Sequence, residues 1–394
     1  MDSADFPEVV DRLEAEVDEG LFTRGAQIAV VRDGELVLDA AFGDDGTGRP
    51  MAPDTVLRVY CSIKPVTAMA IGHLLDDGTL ELDQPLVELL PGPKALADGR
   101  VTLRHVLNHT AGLHRPMAIE IEIVAPPKRI AHADAIGLPA AWPVGRQAAY
   151  SEYYGWSVLG RLIEATTGDD LRAHLRERVL DPLGLSSTWV GMTADEYAEV
   201  RDRLGTSFDM RTDRPFPLLL ERGRRMCTEV NAAHGGYTTA GELARFYDAL
   251  LRSRAGADVA GLPRPATVTQ FTSPQRPRSF DGVLDRECTY GFGFMTGLVD
   301  HAFGSRCSET TFGHSGNVGA TFAFADPERD LAVGVVFNGV VDAESAFLRR
   351  PALVAALYRD LDALAAASDD AADDDGSQAE PTDGRRRRRL WSRR

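Results

Sequence analysis

The sequence predicts an α/β chain of the α+β kind: one antiparallel sheet flanked by helices, with an all-helical lobe inserted between its parts. Two observations lead there. Strand-like apolar runs cluster at the two ends, at 25–43 and again beyond residue 290, while the middle carries helical periodicity. The near-terminal runs are joined by short turns, Asp33-Gly34 in the first pair and Asp326 to Asp330 in the last, which suits antiparallel neighbours.

In order, Val9, Val10, Leu13 and Val17 fall at helical spacing, so an amphipathic helix over 6–19 opens the chain. Residues 25–31 and 36–43 form the first hairpin, and the short run 56–59 leads into Tyr60-Cys61-Ser62-Ile63-Lys64-Pro65. Lys64 to Asp76 reads as a core helix ended near Gly78. A capped helix followed by a turn fits 101–113, and the proline-rich 114–147 reads as a lid or variable loop. Helices are expected at 156–164, 169–180 and 239–252, strands at 290–294, 311–316, 319–325 and 331–338, and a last helix at 343–364.

The chain has 394 residues, and no change in composition divides the first 366. One domain with interleaved lobes is expected, the sheet lobe from about 1–60 and 230–366 and the helical lobe from about 65–225. From 367 an Asp-rich run gives way to Arg385 through Arg389, blocks without core residues that are expected to be disordered. A formal net charge of −16 argues against nucleic acid as partner of the folded body. No membrane-spanning run and no basic, apolar secretory leader is visible, so a cytoplasmic location is expected. Cys61, Cys227, Cys288 and Cys307 are too far apart to read as a metal motif or a disulfide framework.

Chemistry concentrates at Cys61 and Lys64. Three residues nearly complete a helical turn, so thiol and amine share a face, whereas Ser62, two residues before Lys64, stands about 200° around the helix and points away from the amine. An amine and a helix start are the surroundings that activate a thiol. Cys227, Cys288 and Cys307 read as small buried hydrophobes, and Tyr153, Tyr154 and Trp156 as core or pocket wall.

Cys61-x-x-Lys64, Tyr150-Ser151-Glu152 and His314-Ser315-Gly316 follow one another with Leu82-Asp83-Gln84-Pro85, Leu107 to Leu113 and Tyr290-Gly291-Phe292-Gly293 between them. Over roughly 6–365 this resembles the β-lactamase and penicillin-binding-protein superfamily, in particular the class C β-lactamase-like esterases and peptidases. The resemblance implies a β-lactamase/transpeptidase-like fold, with Cys61 where the family has its acylated serine. It implies Lys64 as proton acceptor, Tyr150 as the phenol that relays protons, and His314 in place of the third motif's frequent lysine. The N–H groups of Cys61 and Asn317 would form the oxyanion hole, and Glu152, Ser315, Gly316 and His234 would border the substrate. His109, in a family turn, is expected to be structural.

Two departures bear on the reaction. A thiol would give a thioester, which amines attack readily. Glu152, where asparagine is common, could hold a cationic acceptor or merely neutralise Lys64. With the third-motif lysine also missing, these changes speak against penicillin hydrolysis. The leading expectation is transfer of an acyl group from a small ester, thioester or amide to an amine or alcohol. Hydrolysis of small esters or peptides is the alternative, and a non-catalytic binding protein the third reading. The thiol, amine and phenol call for no metal or organic cofactor.

Overall fold

The computed structural model describes residues 3–20, 22–115 and 143–376. Most of the expected lid, 116–142, lies outside the described residues, as does 377–394. Eight antiparallel strands form the main sheet: β1 (Gly25–Arg32), β2 (Glu35–Gly43), β3 (Arg276–Asp281), β4 (Arg286–Tyr290), β5 (Met295–Thr296), β6 (Phe312–Gly316), β7 (Thr321–Asp326) and β8 (Leu331–Phe337). Their spatial order is β2-β1-β8-β7-β6-β5-β4-β3, so the N-terminal hairpin pairs with the end of the chain through β1 and β8, Ile28 opposite Val335. The turn joining β1 to β2 has positive φ at both Asp33 and Gly34, the twist-matched hairpin geometry.

Alternation along β1 divides the core. Ile28 and Val30 face helices α1 (Pro7–Glu19) and α5 (Ala343–Gly376), meeting Val9, Leu13, Leu353 and Leu357. Ala29 and Val31 face the other way, toward α4 (Ala240–Arg254) and the helical lobe, whose main members are α2 (Lys64–Asp76) and α3 (Tyr154–Thr167). Small residues on that face, Ala323, Ala332 and Gly334, let α4 lie close, and a Cβ at Gly334 would strike the Ala240 carbonyl. None of the described helices is long and apolar enough to cross a membrane.

The fold class agrees with the sequence. The capped helix and turn expected over 101–113 are present, the helix as Leu103–Leu107 with a Thr102–His105 capping box and the turn at His109, which has φ 60°. Several elements differ. The helix expected at 169–180 is Leu171–Leu175 followed by one wider π turn, Arg176–Leu180. The strand placed at 290–294 ends instead at Tyr290, and the β3–β4 hairpin before it extends the sheet beyond what the alternation showed. The final helix runs on to Gly376, past the composition break at 366.

Candidate active site

Cys61 lies on a 3-10 turn, Tyr60–Ile63, that feeds directly into α2. With three residues per turn, positions i and i+3 eclipse, so the thiol and the Lys64 amine are stacked more closely than an α-helix would bring them. The N–H of Lys64 bonds the Cys61 carbonyl, closing that turn. Tyr60, just before the thiol, is held at φ 48°, an uncommon conformation for a large side chain, with its hydroxyl donating to Glu221 at 2.7 Å.

Lys64 is fully buried. Its Nζ donates to the carbonyl of Glu152 at 2.9 Å and that of Ala233 at 2.7 Å, with the Cys61 thiol as an electrostatic neighbour. Two N–H groups committed to carbonyls leave the amine's third direction for sulfur, where a neutral amine presents its lone pair. Burial lowers the Lys64 pKa, against the opposing pull of a Cys61 thiolate and Glu152. Tyr150 lines the same cavity as Cys61, and the Lys64 amine lies 5.2 Å from the phenol ring centre. Burial, and then any charge on Cys61, holds the Tyr150 pKa well above its ordinary value, so the phenol keeps its proton.

Cys61 and Tyr150 line a cavity of about 430 Å³ together with Glu152, Ser315 and Asn317, walled by apolar side chains such as Leu284, Met295 and Phe347 and by Arg286 and Arg350. Gly316 explains how Asn317 comes beside Cys61: a Cβ at Gly316 would overlap the Val59 carbonyl and come within 3.1 Å of the Cys61 nitrogen. Asn317 and Val318 both have positive φ, a strained turn, and for β-branched Val318 a marked one.

Other expected site residues sit elsewhere. His314 is fully buried and is not among the side chains lining the cavity. Its Nδ1 lies 2.8 Å from the Ser315 carbonyl and so carries the hydrogen, leaving Nε2 to accept from the Tyr290 hydroxyl at 3.0 Å. Burial and the Lys64 charge push its pKa well below the usual histidine range. His314 therefore stands as a neutral ring behind Tyr150, with ring centres 6.1 Å apart. His234, expected to border the substrate, is buried with Nδ1 bound by Arg58 at 2.7 Å, and it is the carbonyl of its neighbour Ala233 that reaches the site. Ser62 is also turned inward, its hydroxyl paired with Thr321 Oγ1 at 2.9 Å. His109 accepts the Ser151 N–H at Nδ1, in keeping with the structural part expected of it.

Sequence reasoning missed the two carbonyls on Lys64, Tyr290 and Asp281, whose carboxylate accepts the Tyr150 N–H at 2.9 Å. Only Tyr290 had a visible signal, as the first residue of Tyr290-Gly291-Phe292-Gly293.

A sheet and a helical lobe thus meet around a buried lysine, one turn from a candidate nucleophile and near a tyrosine. The chain belongs to the Beta-lactamase family, which it matches over residues 10–358. It is 33% identical over 207 residues to Esterase EstB of Burkholderia gladioli, an alignment covering 46% of this chain and 52% of that protein. It is 26% identical over 346 residues to Esterase/beta-lactamase LipL of Mycobacterium tuberculosis, covering 80% of this chain and 77% of LipL. Among solved structures it is similar to a penicillin-binding-protein homologue from Caulobacter crescentus, with TM-score 0.73 and 26% identity over 90% of this chain and 97% of that one.

Proposed function

We propose that this chain is an acyl-enzyme catalyst that forms a thioester on Cys61 from a small ester, thioester or amide and passes the acyl group to an amine or alcohol. The observation that carries the reading is a thiol that lines one cavity with Tyr150, one turn from a buried Lys64 whose amine is aimed by two backbone carbonyls. In the first half, the thiol proton passes to Lys64, whose burial favours the free amine, as Sγ bonds the carbonyl carbon. The carbonyl electron pair moves to oxygen, which the N–H groups of Cys61 and Asn317 face. The carbon–leaving-group bond then breaks as Tyr150 gives its proton to the departing atom and recovers one from Lys64. In the second half an acceptor attacks the thioester, losing its proton through Tyr150, and the thiol is restored.

Glu152 supports an amine as acceptor, since its side chain lines the cavity where a cation could pair with it. His314 takes the role of a positioning residue behind Tyr150. A reducing compartment such as the cytoplasm would suit the four free thiols, Cys61, Cys227, Cys288 and Cys307. Water as the acceptor is the second reading, favoured by the esterase names of EstB and LipL. Product analysis with and without added amine separates the two: acylated amine above the uncatalysed background supports transfer, and free acid alone supports hydrolysis.

A further inference from the structure

Tyr150 stands on a stretch, 148–151, that belongs to no helix or strand. Three of its N–H groups are held from elsewhere: Ala149 by the His109 carbonyl at 3.0 Å, Ser151 by His109 Nδ1 at 3.0 Å, and Tyr150 itself by Asp281 Oδ1. Asp281 is completely buried at the end of β3. The same Oδ1 also accepts the N–H groups of Val283 at 3.0 Å and Leu284 at 3.1 Å, both of which line the cavity. Its Oδ2 pairs with Arg276 at 3.0 Å, and Arg276 in turn donates to the carbonyl of Asn108, next to His109.

We propose that Asp281 is a positioning residue for acyl transfer, its one carboxylate fixing both the phenol of Tyr150 over Cys61 and the cavity wall at Val283 and Leu284. A buried carboxylate accepting several N–H groups is a stiff anchor, because charge-assisted bonds are short and directional and the alternative is an unpaired buried charge. Arg276 keeps that charge compensated. The backbone on either side of the substrate is thereby referred to a single group, and a shift of about 1 Å in such a group is enough to matter for proton delivery. This rests on the proton role assigned to Tyr150 above.

The test compares a 4-nitrophenyl ester, whose leaving group departs without a proton, with the ethyl ester of the same acid, whose leaving group needs one. In Asp281→Asn, the single-turnover acylation rate for the ethyl ester is expected to fall about tenfold or more, with the acylation rate for the nitrophenyl ester and both KM values much less affected. Combined with Tyr150→Phe, Asp281→Asn is expected to add little further loss for the ethyl ester. Asp281→Glu keeps the charge beside Arg276 and moves the acceptor oxygens by one methylene; it should show the same split to a smaller degree, and decides the matter if Asp281→Asn does not fold. Equal losses of acylation rate on both esters, or losses that multiply with those of Tyr150→Phe, would overturn the proposal. If Tyr150→Phe itself treats the two esters alike, it is the proton role of Tyr150 that falls.

Discussion

Cys61 and Lys64 lie on one continuous turn and helix, whereas Tyr150 joins Cys61 in the same cavity from a segment without regular structure. The first arrangement is local: a spacing of three on a 3-10 turn brings thiol and amine together whatever the rest of the chain does. The second is wholly long-range, since Tyr150 depends on Asp281 and His109 for its backbone and Lys64 depends on Glu152 and Ala233 for its amine. Chemistry placed by local geometry is visible in a sequence, and chemistry placed by distant polar contacts is not.

Substitutions on the local side should have the largest effect. Cys61→Ala is expected to lower kcat/KM on the order of a thousandfold or more, as loss of a nucleophile does. Lys64→Met should follow at about a hundredfold or more, the range for a lost general base, while melting stays cooperative. On the long-range side, Tyr150→Phe is expected to cost about a hundredfold on substrates with poor leaving groups. A Lys64→Met variant with full activity would break the comparison, because the amine would then be only a structural donor to two carbonyls.

Stability should depend on pH through the long-range side. His109, His301 and His314 are buried around Tyr290, and burial holds all three pKa values below the ordinary 6.5, to about 3 for His301. Between 6.5 and those depressed values the unfolded chain binds protons that the folded one does not, so stability falls as pH drops below about 6.5. A melting temperature that declines from pH 7 to 5, and declines less in His314→Gln, would bear this out; a flat profile would not. The smallest effect is expected for Ser62→Ala, about 1 kcal/mol of stability from the lost bond to Thr321, with activity retained.

What the sequence made legible follows the same division. The β1–β2 hairpin, α2 and the opening helix α1 were readable because Asp33-Gly34 and apolar periodicity are local signals. The β3–β4 hairpin was not: its residues, such as Arg276, Asp281, Arg286 and Glu287, are polar or charged, and it is placed by pairing with its neighbours and by the buried ion pair. His314 and His234 were readable as positions but not in their orientation. A strand or loop residue's side chain is fixed by its partners, here Tyr290 and Arg58, and those are distant in the chain.

The central claim is that Cys61, and not its neighbour Ser62, carries the acyl group. Intact-protein mass and peptide mapping after brief exposure to an activated thioester or ester would test it most directly, with Cys61→Ala and Ser62→Ala alongside. The expected result is one acyl adduct mapped to Cys61 in the wild type and in Ser62→Ala, and none in Cys61→Ala. An adduct that persists in Cys61→Ala and maps to Ser62 would contradict the account.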